Sequence, residues 1–346
     1  MIRAPEPIRW LDERLQLLDQ TLLPHQVVFE THTSLDSVFD AIRRLKVRGA
    51  PAIGIAAAYG LVVAMQPFRD ATGDAFLAAL SSAAERLRGA RPTAVNLGWA
   101  IDRLVTAAQQ DGNGADRYAR IKSTAETIHA EDRRMCRAIG HAGQSLITSG
   151  CGVLTHCNAG ALAVSELGTA TAPMYLAHEA GVAFRVYAGE TRPLLQGSRL
   201  TAWELQQAGI DVTLICDTMV AAMMAEGAID LVLVGTDRVT RNGDVVNKIG
   251  TSGIAILARY FGIPFYVACP SSSFDAATLT GASVVIEERD GDEVRTVAGR
   301  ATAPARVKVR NPAFDVTPHA LVSAFVTDVG VLTPPFEQTL ARLIAT

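Results

Sequence analysis

Residues 152–156 read GVLTH, and four further runs of the same kind follow: AFRVYA (183–188), VTLIC (212–216), LVLVG (231–235) and PFYVAC (264–269). Each has the length of a strand and is apolar on both alternating faces, and the stretches between them are long enough for a helix. Strands that are apolar throughout belong to a parallel sheet covered on both sides, because an antiparallel sheet with one wet face would alternate polar and apolar positions. Residues 146–346 are therefore predicted to form a doubly wound, Rossmann-like α/β domain. Upstream the period changes. Ser34–Leu45, Pro51–Met65, Asp74–Arg86, Thr93–Gln110 and Asp116–His141 carry apolar residues at three- and four-residue spacing, after a strand-like run at Gln26–Thr31. Residues 1–145 are predicted as a mainly helical N-terminal domain, with Ala142–Gly150 (AGQSLITSG) as the junction. The fold class is α/β.

A chain of 346 residues suits about two domains. Its composition, 49% hydrophobic and 19% charged, excludes disorder, collagen-like repeats and coiled coil. A net charge of −3 and a pI near 6.2 give no electrostatic reason to expect nucleic acid or an anionic membrane as partner. The longest apolar run, Ile53–Met65, contains Gly54 and Gly60, falls short of the roughly 20 residues of a bilayer span, and reads as a buried helix. Charges scattered through the first 20 residues leave no apolar stretch for a signal peptide. The five cysteines, odd in number and without a CxxC, fit a reducing compartment, so a cytoplasmic location is expected. The histidines show no metal-ligand spacing, and neither GxGxxG nor GxxxxGK[ST] occurs, so no metal and no cofactor are expected.

In an open parallel sheet, ligands bind beyond the carboxyl ends of the strands. Cys157 follows GVLTH, Asp217 follows VTLIC, and Thr236, Asp237 and Arg238 follow LVLVG. With a helix expected after it, Cys157 would have its thiolate stabilised by the helix N-terminus, and it reads as a base, a nucleophile or a small core residue. Asp237 reads as a proton donor or acceptor, as a turn cap, or as a partner of Arg238; Asp217 reads as the N-cap of DTMVAAMM. Cys136, Cys151, Cys216, Cys269 and the methionines Met219, Met223 and Met224 read as core. In RGAPAIG (48–54), Arg48 offers a bidentate donor, Gly49 permits close backbone approach, and Pro51 suits the first helical turn, a pattern that reads as a phosphate cradle or an ordinary loop-to-helix turn. Arg91 in RPTAVNLGWA, the group Glu190, Arg192, Gln196 and Arg199, and the pair Asn247–Lys248 add cations and amides on further loops. A surface-charge reading explains one such loop more easily than four, which favours a phosphorylated small substrate.

Together these segments resemble the methylthioribose-1-phosphate isomerase family, within the superfamily that includes the regulatory subunits of initiation factor 2B. The resemblance is carried by LLDQTLLP (17–24), AIRRLKVRGAPAIGIAAAYG (41–60), RPTAVNLGWA (91–100), LTHCNAGALA (154–163), ETRPLLQGSRLTAWEL (190–205), GTDRVTRNGDVVNKIGT (235–251), GIPFYVACP (262–270) and NPAFDVTP (311–318). It implies conversion of 5-methylthioribose 1-phosphate to the ribulose 1-phosphate in methionine salvage, with Cys157 and Asp237 catalytic. Substrate contacts are implied at Arg48, Gly49, Ala50, Arg91, Gln196, Asn247 and Lys248, and the assembly implied is a homodimer. The chain departs from the family pattern at Thr236, at Ser252 and in PSSSFD (270–275), which bears on substrate choice. As ring-opening acid, Asp237 would need a pKa raised by burial. Two other readings are a ribose-1,5-bisphosphate isomerase and a non-catalytic scaffold like the initiation-factor subunits; the presence of both Cys157 and Asp237 argues against the scaffold.

Overall fold

The computed structural model describes residues 4–91 and 95–344. The chain divides into two compact units, Pro5–Cys136 with Ala161–Gly168, and Arg137–Gly160 with Thr169–Thr346. The expected boundary at 145/146 is displaced to Cys136/Arg137. The physical reason is helical continuity: one helix runs unbroken from Gly114 to Gly143, so no change of period marks the division. The return of residues 161–168 to the first unit has no sequence signal either.

The first unit is mainly helical, as its periodicity indicates. Strands β1 (Ile8–Leu11), β2 (Arg14–Leu18) and β3 (Phe29–His32) form an antiparallel sheet ahead of helices α1 (Leu35–Arg43), α2 (Ala50–Met65), α3 (Gly73–Arg88), α4 (Val95–Ala108) and α5 (Gly114–Gly143). The strand expected at Gln26–Thr31 is β3; β1 and β2 were not anticipated. They are joined by Asp12 and Glu13, both at positive φ (48° and 59°), a two-residue turn built without the glycine that announces such hairpins. The expected start of α4 at Thr93 lies outside the described residues. Ser34 caps α1 by accepting the Ser37 N–H (3.2 Å), and Thr72 caps α3. Helix α2 and its continuation to Phe68 are long and apolar enough to cross a membrane by length and composition, but from Ala52 to Val63 every residue is buried. It is the core helix of this unit.

The second unit is the parallel sheet. Its strands β4 (Gly152–Thr155), β5 (Arg185–Gly189), β6 (Asp211–Ile215), β7 (Leu231–Val234), β10 (Phe265–Ala268), β13 (Ala324–Thr327) and β14 (Gly330–Leu332) lie in the order 14-13-10-7-4-5-6, all parallel except β14. Between them run α6 (Ala172–Glu179), α7 (Ala202–Gln207), α8 (Val220–Ala225) and α9 (Thr251–Phe261), with α10 (Phe336–Ile344) last. Leu154, Val232, Val234, Phe265, Val267 and Phe325 cluster with Val220 and Met224 of α8 and Ile254, Ala255 and Ala258 of α9. Their sequence neighbours Val153 and Leu233, and Val186 of β5, are equally buried, so both faces of the central strands are covered, whereas the edge strand β6 is largely open on one side. A second sheet was not anticipated: β8 (Arg238–Thr240), β9 (Val245–Lys248), β11 (Phe274–Asp275) and β12 (Phe314–Thr317), in the order 11-8-9-12. Met219, expected in the core, is 46% exposed, because the chain before α8 is a short 3-10 turn, Asp217–Met219, that faces outward.

Gly49 shows how tightly the first unit is drawn. Its φ is +89°, and a Cβ there would lie 2.2 Å from the Ala163 carbonyl oxygen and 2.6 Å from the Ala163 Cα. Gly49→Ala is expected to lower the unfolding free energy by about 3 kcal/mol, strain and overlap together, as measured by urea unfolding. A loss below about 0.5 kcal/mol, the ordinary surface range, would refute the close approach.

Candidate active site

Strands β5 and β6 wind away from β4 on one side, while β7, β10 and β13 lie on the other. The winding reverses between the neighbours β4 and β7, so the crevice of the sheet opens beyond their carboxyl ends. Cys157 follows β4 at two residues' remove, and Asp237 follows β7 after Gly235 and Thr236.

Cys157 is half-buried and its backbone is left-handed, φ +61°. Its N–H donates to Thr191 Oγ1 (2.9 Å), and its carbonyl accepts from Thr201 Oγ1 (2.6 Å). The expected helix directly after it is absent. The chain makes only a 3-10 turn at Ala161–Ala163, and α6 begins at Ala172. No helix N-terminus therefore lies against this thiol from its own segment. A carboxylate packs against this loop at Gly160: a Cβ there would fall 1.4 Å from Glu204 Oε1, and Asn158 Nδ2 donates to that oxygen (3.2 Å) and to Thr201 Oγ1 (3.0 Å). Asn158 and Glu204 are both buried. Glu204 went unmarked because WEL reads as an ordinary helical segment.

Asp217 does not cap the helical segment that it opens. Its two oxygens accept the N–H groups of Thr191 (2.8 Å) and Arg192 (2.7 Å), so it organises the loop after β5 instead. Two donors already presented by that loop outcompete the N–H groups of its own 3-10 turn. Arg192 is spent on the same loop architecture, donating to the carbonyls of Pro193, Val294 and Thr296. Gln196 is buried, and its Oε1 has no hydrogen-bond partner among the described residues. His156, buried beside Cys157, lies with Nε2 2.9 Å from the Ile249 carbonyl and Nδ1 3.9 Å from Asp217 Oδ1. Burial holds its pKa below the usual imidazole range and keeps it neutral.

Asp237 donates its N–H to the Val246 carbonyl (3.0 Å), and its side chain is exposed, so the polypeptide does not supply the burial expected of a proton donor. Its neighbour Arg238 pairs with Asp275 (3.0 Å). Asn247 is buried and donates through Nδ2 to Thr251 Oγ1 (3.0 Å). Lys248 Nζ donates to the Ala313 carbonyl (2.8 Å) and sits over the Phe314 ring at 4.6 Å. Across the β9–β12 ladder Asn247 faces Asp315, whose carboxylate accepts the N–H groups of Gly250 (2.7 Å) and Ser252 (3.1 Å) at the start of α9. Burial pushes the Asp315 pKa up to about 6. Cys136, Cys151 and Cys269 are core residues as expected, but Cys216, at the end of β6, is half-buried, and the nearby Glu190 charge raises its thiol pKa.

The remaining implied contacts belong to the first unit. Arg48 is half-buried, Gly49 is the N-cap of α2, and Ala50 is exposed. That helix has Pro51 in its first turn, no side-chain cap and no acidic residue there, which leaves its N-terminus electropositive. Arg91 is half-buried.

The Initiation factor 2 subunit family model matches residues 46–334. The chain belongs to that family. A 5-deoxyribose 1-phosphate isomerase of Bacillus cereus is 51% identical over 339 residues, 97% of this chain and 98% of that protein. Among solved structures, the 5-methylthioribose 1-phosphate isomerase of Pyrococcus horikoshii superposes with a TM-score of 0.95 at 39% identity, covering 99% of this chain and 97% of that one. The translation initiation factor eIF-2B subunit delta from A. fulgidus gives 0.93 at 43% identity, covering 99% and 100%. The helical first unit and parallel sheet are thus the fold of this family, as the sequence indicated.

Asp315 sets a pH dependence. With its folded pKa above the unfolded value, the folded state holds the proton longer, so its contribution is intact below about pH 4 and is lost as pH rises to about 6. Urea unfolding of the wild type and Asp315→Asn across pH 4 to 7 should show the wild type losing stability relative to the variant through that window. A constant difference would refute the shift.

Proposed function

We propose that the protein is an aldose–ketose isomerase acting on a 5-deoxypentose 1-phosphate, with Cys157 and Asp237 as its catalytic residues. The observation that carries this reading is the position of those two residues after β4 and β7, the adjacent strands at which the winding reverses. Membership of a family containing sugar 1-phosphate isomerases at half identity supports it.

The anomeric oxygen of such a substrate carries phosphate, so the furanose cannot open as a free sugar does. Opening needs a proton at the ring oxygen, and Asp237 supplies it; because the carboxylate is exposed, bound sugar has to provide its desolvation. A hydrogen then moves from C2 to C1, with Cys157 as the base of an enediol route or as a group that stabilises a hydride shift. Gln196, with its buried, unpartnered acceptor, suits a sugar hydroxyl. Asn247 and Lys248, and from the first unit Arg48, Gly49, Ala50 and Arg91, are read as the remaining contacts, the cations among them holding phosphate at about 1.5 to 3 kcal/mol per charge-assisted bond.

The carbon-5 substituent is the finer question. The name carried by the Bacillus cereus relative favours 5-deoxyribose 1-phosphate. The methylthio sugar of methionine salvage is the second reading, favoured by the Pyrococcus horikoshii structure. We read the working form as a cytoplasmic homodimer.

Purified protein is expected to isomerise both sugars, with the higher kcat/KM on 5-deoxyribose 1-phosphate; turnover of neither would refute the reading, and the opposite ranking would restore methionine salvage. Cys157→Ser and Asp237→Asn should each lower kcat by about a thousandfold or more with the unfolding midpoint unchanged. With deuterium at C2, loss of label to water identifies the enediol route, whereas full retention at C1 rejects it.

A further inference from the structure

The backbone at Cys157 is held from both sides. A non-glycine residue at φ +61° pays about 1–2 kcal/mol for a left-handed conformation and keeps it only where its surroundings over-determine it. Here two hydroxyls from different elements grip the two peptide groups that flank the residue. Thr191 Oγ1, in the loop after β5, accepts the Cys157 N–H (2.9 Å) and donates its own hydrogen bond to the Gly189 carbonyl (3.1 Å). Thr201 Oγ1, at the end of the π-helical turn Gly197–Thr201, donates to the Cys157 carbonyl (2.6 Å) and accepts Asn158 Nδ2 (3.0 Å). Both threonines are at most 1% exposed, so water cannot replace either bond. Thr191 is itself left-handed, at φ +65°, and is anchored by Asp217 through its N–H.

We propose that Thr191 and Thr201 are positioning residues that lock Cys157 in its left-handed conformation and so fix the direction in which the thiol leaves the backbone. The proposal rests on the reading that Cys157 acts on the sugar. Each hydroxyl has to donate and accept at once. Serine keeps that capacity, whereas valine, of the same shape, has neither and leaves a Cys157 peptide group buried without its partner. The residue is then released toward ordinary backbone angles, and the thiol is displaced from the reacting carbons. Sub-ångström misplacement lowers the rate of the chemical step while leaving phosphate contacts intact.

The test uses the full chain carrying Thr191→Val, Thr201→Val or the corresponding serine changes. Steady-state turnover of 5-deoxyribose 1-phosphate is one readout. The other is the pH profile of Cys157 alkylation by iodoacetamide, resolved by site with mass spectrometry. Each valine variant should lose about tenfold or more in kcat, equivalent to about 1.4 kcal/mol, with KM within about threefold of wild type. Each should also shift the alkylation profile, and serine should restore both readouts. Wild-type kcat and an unchanged profile in the valine variants would overturn the proposal, as would a loss that serine does not rescue, since packing would then be the cause. Should Thr191→Val fail to fold, Thr201→Val decides, because it releases the other peptide group. If Cys157→Ser turns over at the wild-type rate, the catalytic reading of Cys157 fails, and the alkylation profile still decides whether the threonines hold it.

Discussion

Parallel strands can be joined only by crossovers that return over a face of the sheet. Where the winding reverses, the crossovers leave to opposite sides, and the carboxyl ends of the two middle strands are covered by neither. Here those strands are β4 and β7, and Cys157 and Asp237 follow their ends. The buried apolar faces of the sheet fix where the strands lie, and the strands fix where the loops begin. The loops then need only short-range hydrogen bonds to aim their side chains: Asp217 on the Thr191 loop, His156 toward the Ile249 carbonyl, and Asp315 on the start of α9.

What the sequence disclosed followed from periodicity. The five apolar runs became five adjacent strands, the central ones because burial on both faces leaves little room for polar residues, and the helices of the first unit became legible through their apolar stripes. What stayed hidden was built from contacts distant in sequence or from very short elements. Glu204 sits in an unremarkable helix and gains meaning only where Gly160 meets it. Asp217 resembled a cap, and its partners proved to be N–H groups 25 and 26 residues upstream. Strands β8 and β9 are three and four residues long, too short for a period, although Asn242–Gly243 between them, with Gly243 at φ +90°, is a hairpin signal in the right place. Cys157 does follow a strand, as its sequence position indicates, but the helix expected directly after it does not form there.

The small sheet has its own logic. Its hairpin β8–β9 is inserted between β7 and α9, and β11 and β12 join it from the stretch between β10 and β13, so it carries Asn247 and Lys248 without contributing a strand to the main sheet. Val239 and Val245 of that hairpin belong to the same buried apolar cluster as Val232 and Phe265, so packing fixes where the pair lies.

Lys248 closes the description with a consequence for selectivity. Its ammonium group gives one of its three hydrogens to the Ala313 carbonyl and rests on the Phe314 ring. On the proposed reading, a phosphate oxygen that also draws the lysine away from this neutral carbonyl gains by the exchange, because a charged acceptor makes the stronger bond. On that reading a sugar without phosphate gains little from this cation, so the lysine would weigh ligand charge in addition to being a source of attraction.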